Sequence, residues 1–332
     1  MSGREKDRRG RAGSFGRGAA VGFLGRTLAV GAAAALAVLV ASACAPASAA
    51  AKQHEFGSPH EAVTALMHAI KTDDKKALLD ILGPDASTLV SSGDAVADEN
   101  TRRHFVAEYD RAHRLAGGGG KVILYVGADD FPFPIPLVPD GAFWRFDTAA
   151  GKNEILNRRI GQNELEAIQV CLAYVDAQRE YHSAARNSDG VRAYARRLAS
   201  APGKRDGLFW ETKPGEPPSP LGPLLARARA EGYGQARAGK QAPYYGYYYR
   251  VLTAQGPAAP GGAYEYLARG RMIGGFALVA FPAQYGVSGV MTFIVNHDGV
   301  VYQKDLGPNT AALAEAIKQF NPDAGWTKAE PV

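Results

Sequence analysis

Apolar residues recur at steps of three and four between residues 163 and 181, and this stretch, NELEAIQVCLAYVDAQREY, carries the strongest helical pattern in the chain. Leu165, Ile168, Leu172 and Val175 make one stripe, and Ala167, Cys171, Tyr174, Gln178 and Tyr181 make a second beside it. Two adjacent stripes predict a helix with a wide buried face and material packed on two sides. Asn163 followed by Glu166 has capping-box spacing and sets the expected start, while Asp189-Gly190 gives the expected stop. Cys171 and Tyr174 read as packing residues.

Upstream, Ser58-Pro59-His60-Glu61 carries helix-start grammar, with Ser as N-cap, Pro at the first turn and Glu three positions on. Asp73 or Asp74 opens a second helix that Gly83-Pro84 ends, and a third is expected from Val96 to His113. Gly117 to Gly120 reads as a flexible joint, after which the period changes to two. Lys121 to Val126 and Ala142 to Asp147 are strand runs. Between them FPFPIPLVP, Phe131 to Pro139, must be extended but cannot form a central strand, because proline lacks the donor a ladder needs. A short helix over Lys152 to Arg159 is expected to end before Gly161.

Downstream, a helical piece is expected at Val191 to Leu198, loops over 200–220, and a helix at Leu221 to Ala230. Strands follow at Tyr244 to Arg250, Gly275 to Phe281, Val290 to Asn296 and Val300 to Asp305, the last two joined as a hairpin through His297-Asp298-Gly299. A helix from Thr310 to Phe320 closes the pattern. The class is α+β in two small domains, 55–160 and 161–325. The first has helices and a short antiparallel sheet, the second a long helix packed on an antiparallel sheet.

Charge changes this picture only at the N-terminus. The 332 residues carry a formal net charge of +5, but seven of the 38 basic and two of the 33 acidic residues lie in 1–49, which leaves 31 of each beyond it. The basicity belongs to the leader, so nucleic acid is not an expected partner. The apolar run Leu28 to Ala41 is shorter than the about 20 residues of a membrane span and suits a signal-peptide core. Two cleavage readings stand side by side. Ala47-Ser48-Ala49 would release a soluble protein after a 1–49 leader. Ala41-Ser42-Ala43-Cys44 resembles a bacterial lipobox, which would leave a 1–43 leader and a lipid on Cys44, the one expected contact with a membrane. Either route places the mature chain in the periplasm. Cys171 is then left without a disulfide partner, which again argues that it is buried.

Several long segments carry a resemblance. AIQVCLAYVDAQREY, SAPGKRDGLFW, SPLGPLLARA, YYRVLTAQGPAAPGGAY and GGFALVAFPAQYGVSGVMTFIVNHDGVVYQKDLG, with FPFPIPLV and FWRFDTAAGK upstream, resemble the bacterial domain-of-unknown-function family 2950 over about residues 55–325. That resemblance implies an exported or envelope protein of Gram-negative bacteria, and it brings no catalytic residue with it. Helices followed by strands ending in Trp144-Arg145-Phe146-Asp147 also resemble a reduced nuclear-transport-factor-2-like cone over 55–160. The helix ending in Ala177-Gln178-Arg179-Glu180-Tyr181, followed by an aromatic-rich sheet, is similar to the globular part of type IV pilins and pseudopilins. It lacks their membrane-spanning N-terminus and prepilin site, so the likeness implies a shape and no filament.

A search for chemistry finds little. Gly286-Val287-Ser288-Gly289 falls one residue short of a nucleophile elbow and leads into a strand. No P-loop, dinucleotide fingerprint or His-Glu-x-x-His is present, and His68, His104 and His113 have no carboxylate at ligand spacing. No catalytic residue, metal ligand or cofactor is expected. Two surfaces remain as candidate binding sites. One is the proline-stiffened ribbon with Phe131, Phe133 and Trp144, since a rigid extended segment loses little entropy on binding. The other joins Lys204, Arg205, Asp206 and Trp210 to the tyrosines of 244–249, suited to a glycan or an envelope protein. The expected role is a non-catalytic binding module. The alternatives are an enzyme with a site in the N-terminal cone, for which Lys121 to Val126 offers only Tyr125, and a pilin-like assembly component.

Overall fold

The computed structural model describes residues 52–184, 190–234 and 242–330. Cys44, both cleavage readings and Asp189 lie outside the described residues. Ser58 opens α1 (Pro59–Lys71) by accepting from the Glu61 amide at 3.2 Å, and the Glu61 carboxylate accepts in return from the Gly57 amide at 2.9 Å. Asp74, and not Asp73, caps α2 (Lys75–Leu82), bonding the Ala77 amide at 2.9 Å. A 3-10 turn and the short α3 (Ser87–Val90) lead to α4 (Ala95–Arg111), capped by Asp94.

The expected joint at Gly117 to Gly120 is a tight hairpin instead. β1 (His113–Gly118) pairs with β2 (Lys121–Val126) through Gly119 and Gly120, both at positive φ, a conformation that glycine adopts without a Cβ penalty. The proline ribbon then runs along the other edge of β2. β3 (Phe131–Pro132) pairs with Val126 and Tyr125, and β4 (Leu137–Asp140) meets β2 at Val122. β5 (Phe143–Phe146) pairs with β4, so the order is β1-β2-β4-β5. β4 is therefore an interior strand, against expectation. The prolines are accommodated because its seam with β2 is reduced to a single registered pair. Between Phe133, whose amide bonds Leu124, and Leu137 the ribbon spends four residues where β2 spends two. This bulge drives Ile135 into the N-terminal core beside Leu66, Leu124, Leu137 and Phe146.

The two helices expected over 152–159 and from 163 are one: α5 (Thr148–Ser183) runs unbroken for 36 residues. Asn163 is not a cap but a buried side chain in mid-helix, and Gly161 is not an end. Gly161 carries helical backbone at a modest cost, and the packing on both sides outweighs the local stop signal. Both stripes pack. Ala167, Cys171, Tyr174 and Gln178 of the second are covered, with Ile168 and Val175 of the first buried as well, and Leu165 at its start, 43% exposed, is the exception. The expected helix at Val191 to Leu198 is extended chain, bridged to Met272 through Tyr194. α6 (Gly222–Ala230) forms as expected.

The larger sheet contains β6 (Tyr247–Leu252), β11 (Ala277–Pro282), β12 (Met291–Asn296), β13 (Val301–Asp305) and β14 (Thr327–Lys328), all antiparallel in the order β14-β13-β12-β11-β6. Short pairs β7 (Ala254–Gln255) with β8 (Tyr264–Glu265), and β9 (Leu267–Ala268) with β10 (Arg271–Met272), fold beside it. α7 spans only Thr310–Ala316, shorter than expected. Neighbouring strand residues face opposite ways, which fixes the layers. Tyr249 lies close to Cys171 of α5, while Arg250 donates to the Ala314 and Ile317 carbonyls at the end of α7, at 2.7 and 2.8 Å. β11 is buried along its whole length because both of its faces are covered. Among the described residues no helix is long and apolar enough to cross a membrane.

Candidate functional site

A cavity of about 530 Å³ opens within the N-terminal half. One wall is aliphatic: Leu66 and Ile70 from α1, Leu78 and Leu82 from α2, and Leu89 and Val90 from α3. α4 presents Ala97, Asp98, Thr101, Arg102 and Phe105, and α5 presents Ile155, Arg158, Arg159, Gln162 and Asn163, each set at helical spacing. The bulged ribbon closes the cavity with Phe131, Phe133, Pro134 and Ile135. Gly151 of α5 allows this approach, because a Cβ there would sit 2.5 Å from the Pro134 carbonyl oxygen.

The lining is graded. Along α4 the polar positions come first and Phe105 last; along α5 Ile155 comes first and the polar positions follow. The two polar stretches meet, since Asp98 is close enough to favour the charged form of Arg159. Burial acts the other way and is the larger effect, drawing the Arg159 guanidinium below its ordinary range. Its Nη1 donates to the Thr88 carbonyl at 2.6 Å and its Nη2 to the Leu89 carbonyl at 2.8 Å, satisfying oxygens that α3 leaves unpaired. No carboxylate among the described residues lies within ion-pair distance of it. Asp98 is buried and takes the Ser92 amide between its oxygens at 3.0 and 3.2 Å. The other two arginines are paired with exposed carboxylates, Arg102 with Asp73 at 2.9 Å and Arg158 with Glu154 at 2.6 Å. Arg158 also lies 4.5 Å over the ring of Phe131, which is 49% exposed and marks the open side.

The structure divides the sequence-derived residues. Phe131 and Phe133 line the cavity, but Trp144 does not: it exchanges both backbone hydrogen bonds with Phe56, at 2.8 and 2.9 Å. Tyr125 lies under the Arg114 guanidinium, 4.1 Å from its ring centre, and is not part of the lining. Lys204, Arg205 and Asp206 sit in a separate loop. Asp206 accepts from the Ala201 amide at 2.8 Å, and Arg205 pairs with Glu216 at 3.3 Å and lies 5.5 Å from the Trp210 ring. Trp210 is buried beside a smaller cleft of about 280 Å³, with Phe209, Pro218 and Pro223. Two of the tyrosines are withdrawn from the surface. Tyr247 and Tyr249 are buried under α5, and the Tyr247 hydroxyl donates to the Met291 carbonyl at 2.9 Å.

Asp98, Arg102, Arg158 and Arg159 are absent from the sequence-derived site. The available signal was a periodicity: Ile155, Arg158, Arg159, Gln162 and Asn163 continue the apolar spacing of the helix with polar residues, which places charge on a face that packs. The local stop signal at Gly161 masks it. Among the described residues no group of three His, Cys, Asp or Glu side chains is placed to hold a metal ion.

A family model described as "Protein of unknown function (DUF2950)" matches residues 53–329. No curated protein and no solved structure matches the chain.

Proposed function

The chain belongs to the DUF2950 family, and from that premise we propose that it is an exported envelope protein of Gram-negative bacteria whose N-terminal half is a non-catalytic binding module for a small molecule. One observation carries the binding reading: the cavity itself. Well-formed concave clefts of this size are few in any protein. A space of about 530 Å³ falls in the range of ligand sites, and its mostly apolar walls with a few convergent polar groups have the usual composition of one. The ionisable lining groups support binding over catalysis. They are one carboxylate, Asp98, and three arginines, and a permanently charged guanidinium cannot serve as a base at neutral pH.

Export rests on the leader pattern, a basic stretch followed by the apolar run Leu28 to Ala41. Fractionation of cells should recover the protein from the periplasm or the envelope membranes. Lipid labelling that Cys44→Ser abolishes would support the lipobox, and unchanged labelling would reject it. For the binding module, protein purified from its native envelope is extracted with organic solvent and the extract examined by mass spectrometry. A small molecule near one equivalent, lost when Ala97→Trp fills the cavity, supports the reading. Protein that carries nothing and takes up no neutral apolar fluorophore would reject it.

A second reading concerns the cleft at Trp210. Its aromatic and proline walls beside Arg205 suit a protein or glycan partner, and crosslinking in the periplasm with and without Trp210→Ala tests it. The pilin-like shape of residues 161–325 belongs to the same proposal as a rigid helix-on-sheet body, and ordered oligomers at high concentration would be its signature.

A further inference from the structure

The polar end of the cavity constrains what it takes. Arg159 is largely buried, and its two carbonyl acceptors use two of the five N–H donors of a guanidinium. A buried charge is normally paired with an opposite charge, and here the other arginines are paired while this one is not. Asp98 is near, but its oxygens are engaged by the Ser92 amide. The walls from Leu66 and Leu78 to Phe133 and Ile155 are apolar, and the other polar lining groups, Ser92, Thr101, Gln162 and Asn163, carry no charge.

We infer that the ligand is an amphiphilic monoanion, its carboxylate seated on the Arg159 guanidinium and its apolar body in the aliphatic end between α1, α2 and the proline ribbon. This rests on the binding reading given above and names the ligand class for the same cavity. The charge is limited to one because Asp98 lines the same space and repels a second negative charge. A carboxylate matches the planar fork of the guanidinium with two parallel hydrogen bonds, which a hydroxyl cannot do.

The test uses the purified mature protein at pH 7.5 and the neutral fluorophore N-phenyl-1-naphthylamine, displaced in turn by decanoate, decanol and decyl phosphate, which share one chain length. Decanoate is expected to compete at least about tenfold better than decanol, with decyl phosphate weaker than decanoate. Arg159→Met keeps the bulk, so the fluorophore should still bind while the preference for decanoate disappears; Arg159→Lys should retain part of it. Equal competition by decanoate and decanol in the wild type overturns the inference while leaving the cavity as a binding site. A preference that survives Arg159→Met, or decyl phosphate as the best competitor, also overturns it. Absence of fluorophore uptake by protein that also carries no extractable small molecule rejects the binding reading and this inference together. The wild-type comparison needs no variant, so a poorly folding Arg159→Met leaves the inference open to refutation.

Discussion

The carboxylate of Asp94 accepts a hydrogen bond from the Gly246 amide at 2.9 Å, across 152 residues of sequence. It thereby ties the start of a cavity-lining helix to the turn that opens the larger sheet. The same oxygen takes the Tyr233 hydroxyl at 3.0 Å, and the other caps α4 through the Ala97 amide at 3.1 Å. Gly246 sits at φ 72° in that turn. Asn163, lining the cavity from α5, donates to the Ser288 carbonyl at 2.9 Å close by, so a second bond links the cavity wall to the C-terminal half.

Asp94→Ala removes a helix cap and strands two buried donors, and should cost about 2–4 kcal/mol in a denaturant titration. Burial holds the Asp94 carboxyl above its ordinary 3.8, with the Gly246 and Ala97 amides opposing. A carboxyl raised by folding binds its proton more readily in the folded state. Its contribution is therefore greatest below the ordinary value and is lost as pH rises through the raised one. Urea titrations across this range should show wild type gaining on Asp94→Asn as pH falls from neutral towards 3.8.

Two glycines of α5 should respond to alanine with opposite signs. A methyl group added at Gly161 would meet no atom within 4 Å, so Gly161→Ala should stabilise by about 0.5–1 kcal/mol through helix propensity. At Gly151 the methyl would meet the Pro134 carbonyl carbon at 2.6 Å and Ile135 Cγ1 at 2.7 Å, and Gly151→Ala should destabilise by about 1–3 kcal/mol. Thermal melting gives both signs. Fluorophore uptake should change only for Gly151→Ala, because the ribbon it displaces lines the cavity.

Gln178 is a polar residue at the centre of the C-terminal core. Its Nε2 donates to the Ala195 carbonyl at 2.8 Å and the Tyr174 hydroxyl at 3.0 Å, and its Oε1 accepts from the Ala195 amide at 2.8 Å. It thus pins the extended chain that follows α5. Gln178→Leu, though apolar and of similar size, should cost about 2–4 kcal/mol because both backbone groups of Ala195 lose their partner. Hydrogen exchange at the Ala195 amide should accelerate selectively.

Cys171 should be inert in the native state. Burial pushes its thiol up to about 12, against 9.0 when exposed. In a Cys44→Ser background, labelling by an aromatic disulfide at pH 8 should be at least about a thousandfold slower in buffer than in denaturant, since it requires opening of the core. The thiol stays protonated longer in the folded state, so stability should decline as pH rises from about 9 towards 12.

Local grammar was legible in the sequence wherever a residue acts on its own neighbours. The Ser58 cap with Glu61, the stop at Gly83-Pro84, the hairpin through His297 to Gly299, α6 and the α+β class all follow from spacing within a few residues. So did the burial of Cys171, from its place on a stripe. Contacts between distant segments were not legible. Gly161 reads as a break, yet packing on both sides of it makes α5 one helix. Asn163 reads as a cap, yet its partner is Ser288. The prolines read as excluding an interior strand, yet a bulge with a single pairing to β2 admits one. The cavity is the extreme case, because five helices and the ribbon must come together before Asp98 and Arg159 share a space. Sequence by itself determined the local starts, stops and turns, since caps, turns and periodicity are short-range physics. Tertiary structure alone decided which polar residues are buried, because desolvation and the absence of an ionic partner are properties of the assembled interior.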